Sequence, residues 1–105
     1  MKVASFNVNS IRARLKIVLD WLQKESPDVL CLQETKVTDA EFPQAAFEDI
    51  HYHTVFCGEK SYNGVAILSK IPLKNVRMGF DESGADGTRL ITATVNKISI
   101  VNTYI

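Results

Sequence analysis

Residues 29–36 read VLCLQETK, four apolar residues running straight into an amide and a carboxylate. A buried strand ordinarily closes on a turn residue such as Gly, Asn or Pro, and none separates Leu32 from Glu34. The unbroken apolar run is the pattern of a strand covered on both faces, as in parallel sheets packed under helices. A glutamate at the end of such a strand needs a reason.

Working outward toward the amino terminus, residues 3–7 (VASFN) alternate apolar and small residues as a first strand, and Asn9 or Ser10 can cap a helix begun directly after it. Ile11, Leu15, Val18, Leu19 and Leu22 then recur at spacings of three and four, with Arg12, Arg14, Lys16 and Lys24 largely off that stripe. Ser26-Pro27-Asp28 ends the helix. The result is a strand-helix-strand unit, which predicts a parallel pair.

Toward the carboxyl terminus, residues 38–47 are expected to hold a short helix, with Thr38 as cap and Glu41 as its capping-box partner. From His51 the character changes. HYHTVFCG, GVAILSK, LITATV and ISIVNTYI are short runs rich in β-branched and aromatic residues, separated by Gly, Pro, Asn and Asp. They predict a mostly antiparallel meander, with Asn96-Lys97 as a two-residue turn between Val95 and Ile98. The expected fold class is therefore α/β: strand-helix-strand followed by antiparallel strands. ISIVNTYI is still strand-like at Ile105, and residues 1–105 are read as the amino-terminal part of something longer.

The chain has 105 residues, 46% apolar and 23% charged, within the range of one globular domain. Lys plus Arg number 12 and Asp plus Glu number 12, so bulk charge gives no argument for nucleic acid and any basic surface must be local. Cys31 and Cys57 lie far apart in apolar runs without zinc-site spacing, and are read as buried thiols of a reducing cytoplasm. No run approaches the ~20 apolar residues of a membrane span, and the amino terminus is too short and polar for a secretory signal. A cytoplasmic protein with no membrane partner is expected.

Ligands of α/β sheets gather at the carboxyl ends of parallel strands. Strand one ends in Asn7 and strand two in Gln33-Glu34, so these side chains should converge. One carboxylate beside amides suits a hard cation such as Mg²⁺, which takes few protein oxygens and keeps several waters. The residues alone equally allow Glu34 to cap the next segment or to pair with Lys36 in solvent. His51 and His53 form an H-x-H on an expected strand, which brings both rings to one face, but no third ligand lies near them in sequence.

FNVNSIRAR (residues 6–14) followed by PDVLCLQETK (27–36) resembles the opening of exodeoxyribonuclease III and the apurinic/apyrimidinic endonucleases of the endonuclease/exonuclease/phosphatase superfamily. SYNGVAILSK (61–70), the GTRLI around Arg89 and VNTYI (101–105) fit in order, so the resemblance spans the chain. It implies a two-sheet sandwich flanked by helices and a Mg²⁺-dependent phosphodiesterase, with Mn²⁺ as a substitute, that nicks DNA beside abasic sites and trims 3′ ends.

Carried over residue by residue, the resemblance makes Glu34 the metal-binding carboxylate and Asn7 the amide that orients groups at the scissile phosphate. Asn9 stands where some relatives carry an aspartate near the metal, and its other reading is a helix cap. Tyr104 matches a tyrosine whose hydroxyl reaches toward the phosphate, and on its own reads as a strand aromatic in the core. Lys36, Tyr62, Asn63 and Arg89 match positions that meet the DNA, where phosphate contacts call for cations and donors on loops. Ser10 replaces a glycine common in the family.

The family also uses an Asp-x-Asn, a further aspartate and a closing Asp-His pair, none of which this sequence contains in those contexts. Asp39, Asp81 and Asp86 lie in expected loops. Two expectations stand side by side. Either the chain is the amino-terminal half of a repair nuclease, inactive alone, or it is a non-catalytic binding or assembly module of the same fold. In both, the chain supplies one sheet, whose open face needs the carboxyl-terminal half or a second copy to cover it.

Overall fold

The structure, a computed structural model, describes residues 1–80 and 86–105. Strand β1 (Val3–Asn7), helix α1 (Ile11–Glu25) and strand β2 (Val29–Gln33) form the expected unit, with β1 and β2 parallel from Val3↔Val29 to Asn7↔Gln33. Ser10 rather than Asn9 caps α1, its Oγ accepting the Ala13 N–H at 3.2 Å. The helix ends at Ser26, which turns left-handed and returns its N–H to the Leu22 carbonyl at 2.9 Å.

The meander divides between two sheets. Strand β3 (His53–Cys57) and strand β4 (Val65–Ser69) join the first sheet in the order β1-β2-β4-β3, with β4 antiparallel to both neighbours. Strand β5 (Lys74–Met78), which the sequence pattern did not announce, forms a second antiparallel sheet with β6 (Leu90–Val95) and β7 (Ile98–Thr103), in the order β5-β6-β7. Asn96 and Lys97 make the expected β6–β7 turn, both with positive φ, 49° and 69°.

Two cores lie on opposite faces of the first sheet. Leu30, Leu32, Ala66 and Leu68 point to the helices, where Ile11, Val18, Leu22 and Phe47 meet them. Val29, Cys31, Val65 and Ile67 point the other way, onto Ile91, Ala93, Val95 and Ile100 of the second sheet. This explains the uninterrupted apolar runs of β2 and β4: alternate residues serve different cores. It also corrects the one-sheet expectation, because the chain carries both layers and they cover each other. Strands β1, β3, β5 and β7 form the edges of the two sheets. The outer strands β1 and β7 expose Val3 (50%), Phe6 (41%) and Val101 (61%).

The expected helix over 38–47 is broken. Asp39–Glu41 form one 3₁₀ turn and the second helix, α2, is Gln44–Glu48, because Pro43 between them has no N–H to continue a helix. The capping box is absent: Thr38 Oγ1 contacts Glu41 Oε1 at 3.2 Å and makes no hydrogen bond to helix backbone. His51 lies in a turn with φ 68°, before β3 begins, so strand alternation does not bring it alongside His53.

Candidate functional site

The loop of residues 34–36 follows β2 and lies between the start of α1 and the loop that leads into β4. Helix α1 begins where this loop ends its turn, so the free N–H groups of Ser10 and Ile11 find partners in the carbonyls of Glu34 and Thr35, at 2.8 and 3.0 Å. On the other side the Thr35 and Lys36 N–H groups donate to the carbonyls of Gly64 and Asn63, at 3.2 and 2.9 Å, and Ser61 N–H returns to the Lys36 carbonyl at 3.3 Å. Any side chain at Gly64 would be strained. Its φ is +98°, and a Cβ would lie 2.0 Å from the Thr35 hydroxyl oxygen.

Held this way, Glu34 and Lys36 both take left-handed backbone conformations, φ 58° and 59°, as do Asn9 (44°) and Asn63 (53°) around them. Each such non-glycine residue costs on the order of 1 kcal/mol, and a cluster of them over-determined by hydrogen bonds is characteristic of functional sites.

Asn7 Nδ2–H donates to Glu34 Oε1 at 2.8 Å, while Asn7 Oδ1 accepts the Asn9 N–H at 3.1 Å. The second bond fixes which end of the amide faces the carboxylate. Lys36 Nζ lies 3.6 Å from Glu34 Oε2 and donates to Asn9 Oδ1 at 2.6 Å. The hydrogen bond from Asn7 holds the Glu34 carboxyl below its ordinary range, with the Lys36 charge and the Tyr104 hydroxyl acting in the same direction against partial desolvation. The carboxylate stays ionised and one-fifth of the side chain stays open to solvent, 21%.

Asn7, Asn9, Glu34, Lys36 and Tyr104 thus come together. Tyr104 is half-buried, its ring against the second core and its N–H donating to the Arg89 carbonyl at 2.8 Å. Arg89 returns a long contact, Nε to the Tyr104 carbonyl at 3.4 Å. Asn63 directs its side-chain amide to Glu59 Oε1 at 3.2 Å, and Tyr62 projects from the same loop with 71% of its surface exposed. These three lie on loops beside Glu34, where the Arg89 and Asn63 carbonyls accept the Tyr104 and Lys36 N–H groups. Asp39 binds the Gly58 N–H at 2.8 Å, and the Asp86 carbonyl closes the turn to Arg89, while Asp81 lies outside the described residues.

Composition and spacing did not reveal Asn102. It is buried between the sheets, where its Nδ2 donates to the carbonyls of Leu32 and Ala66, both at 2.8 Å, and its Oδ1 accepts from Gln33 Nε2 at 2.8 Å. Gln33 also reaches Ser5 Oγ at 2.9 Å. This network ties β7 to β2 and β4 one residue below Glu34, and so sets where Tyr104 stands. The signal for it was a polar residue inside the apolar run ISIVNTYI.

The donor set fits a hard divalent cation sparingly. One ionised carboxylate with an open face and neighbouring amide oxygens match the preference of Mg²⁺ for few protein oxygens and retained waters. Among the described residues no three His, Cys, Asp or Glu side chains converge. Soft-metal sites built from Cys and His therefore have no counterpart among the described residues.

The profile of the Endonuclease/Exonuclease/phosphatase family matches residues 4–105. An AP endonuclease from Archaeoglobus fulgidus superposes with a TM-score of 0.97 at 50% identity, covering 100% of this chain and 41% of that one. A 3′ phosphatase from Neisseria, solved with a product DNA hairpin, superposes at 0.92 with 40% identity, covering 99% of this chain and 41% of that one. Among curated proteins, exodeoxyribonuclease III of Haemophilus influenzae is 38% identical over 109 residues, 99% of this chain and 41% of that protein. The chain therefore spans about two-fifths of the length of these relatives.

Proposed function

The chain belongs to the Endonuclease/Exonuclease/phosphatase family, and from that footing we propose that it supplies the cation-binding part of a DNA-repair phosphodiesterase acting at abasic sites and 3′ ends. The observation that carries the proposal is the contact of Asn7 with Glu34 at 2.8 Å, beside Lys36, at the adjoining ends of two parallel strands. Relatives include an AP endonuclease and a DNA-bound 3′ phosphatase of similar fold and an exodeoxyribonuclease of similar sequence, which favours a phosphate ester of DNA as substrate.

In this reading Glu34 and, through its amide oxygen, Asn9 hold Mg²⁺ or Mn²⁺. The cation supplies positive charge at a phosphoryl oxygen. Asn7 is a positioning residue for the carboxylate: its amide is neutral and its carbonyl already engaged, so it orients Glu34 without competing for the cation. The Tyr104 hydroxyl, beside Glu34, is placed to donate to a phosphate oxygen. Lys36, Arg89, Asn63 and the exposed ring of Tyr62 offer charge and donors to the DNA backbone around it. Both cysteines are free thiols, Cys31 buried with its pKa pushed up to about 11 and Cys57 half-buried, which favours a reducing compartment such as the cytoplasm.

A complementary segment, in this proposal, completes the site and adds strands to the β1 and β7 edges. Val3, Phe6 and Val101 are exposed there, and an apolar cavity of about 310 Å³ opens beside β1 between Phe6, Ile17 and Trp21. The second reading is a binding module of the same fold without chemistry of its own. The test is a nicking assay on a duplex with one abasic-site analogue and Mg²⁺. The 105-residue chain is run alone and mixed with the part of the Archaeoglobus enzyme that lies outside the match. Cleavage only in the mixture supports the proposal. DNA binding without cleavage in either case supports the binding module.

A further inference from the structure

Lys36 is an unusual surface lysine. Its side chain is 29% exposed, and its backbone is pinned at both ends by the loop of residues 61–63 in a left-handed conformation. Its ammonium donates to Asn9 Oδ1 at 2.6 Å and lies 3.6 Å from Glu34 Oε2. One ammonium thus sits against both side chains that the proposed function gives to the cation. We propose that Lys36 is the resident counter-cation of this corner and that a divalent cation binds by displacing it.

The charges make coexistence unfavourable. Asn7 and Asn9 are neutral, so among the described residues Glu34 is the one negative charge in the cluster, and Lys36 already balances it. A divalent cation brought to the same oxygens would meet a positive neighbour a few ångströms away, in a site only partly open to water. The lysine stem has four rotatable carbons, so the ammonium can leave while the clamped backbone stays. The contact to Glu34 is also the weaker of its two, an ion pair longer than a hydrogen bond. Cation binding here is an exchange of one cation for another, and the lysine sets how tightly the incoming one is held.

This inference rests on the proposed cation role of Glu34, and calorimetric titration of the chain with Mn²⁺ separates the two. Glu34→Gln should abolish binding in every background; if it does not, the cation role itself fails. Lys36→Met, and Lys36→Gln as the variant that keeps a donor to Asn9, should each tighten Mn²⁺ binding by about tenfold or more, while Lys36→Arg stays near wild type. In the ¹⁵N-labelled wild type, Mg²⁺ should move the Asn9 side-chain amide resonance as the ammonium departs. If Glu34 is required but neither neutral variant binds Mn²⁺ more tightly than wild type, the displacement is wrong.

Discussion

Asn7 on β1 and Glu34 beyond the end of β2 are 27 residues apart, and the parallel register that pairs Asn7 with Gln33 brings their side chains within 2.8 Å. The bond lowers the carboxyl pKa, so it contributes stability above the ordinary carboxyl value of about 4.3, and that contribution is lost as pH falls through the depressed folded value. Asn7→Ala should therefore raise the Glu34 pKa toward the ordinary value, read by ¹³C NMR titration of the side-chain carboxyl. A pKa unchanged by the substitution would show that Asn7 does not orient the charge.

Asn102 should matter to stability more than any other polar residue described. Asn102→Leu leaves the Leu32 and Ala66 carbonyls and the Gln33 amide without their partner between the sheets. Urea unfolding should register a loss of about 2–4 kcal/mol. A loss below about 1 kcal/mol would mean that the sheets are aligned by apolar packing alone.

Gly64→Ala should also destabilise, by about 2 kcal/mol or more, since the new methyl meets the Thr35 hydroxyl and the backbone holds positive φ. Hydrogen exchange should localise the effect to the Thr35 and Lys36 amides, which the loop of Gly64 binds. Uniform loss of protection across both sheets would contradict the assigned role of this glycine.

The convergence of Asn7 and Glu34 in the candidate site was legible because strand direction and chemistry coincide. The apolar run of β2 passes into QET, and a parallel partner ending in Asn7 had to bring an amide near the carboxylate. The second sheet was not legible: the chain was expected to supply one sheet only. VAILS in β4 is buried at every position, whereas LITATV in β6 buries only alternate residues, Ile91, Ala93 and Val95. Strand β5, KNVRM, is exposed along its whole length and carries a register shift between Lys74 and Arg77, so it has neither an apolar run nor an alternation to read. The broken helix over 38–47 was marked by Pro43.

Lys97→Gly should stabilise the β6–β7 hairpin by roughly 0.5–1 kcal/mol, because both turn residues hold positive φ and Asn-Gly is the favoured pair for such a turn. Thermal unfolding of the single variant is sufficient to read it, and a lower midpoint would count against the turn type.

The role proposed for this chain is the cation-binding half of a DNA phosphodiesterase site. Its most direct measurement uses a chimera in which these 105 residues replace the matched 41% of the Archaeoglobus AP endonuclease, to which the chain superposes at a TM-score of 0.97. The chimera should nick a duplex at an abasic-site analogue in Mg²⁺, and Glu34→Gln within it should lower the rate roughly a hundredfold or more while the protein stays folded. A folded chimera that does not cleave, or one that cleaves equally well with Glu34→Gln, would contradict it.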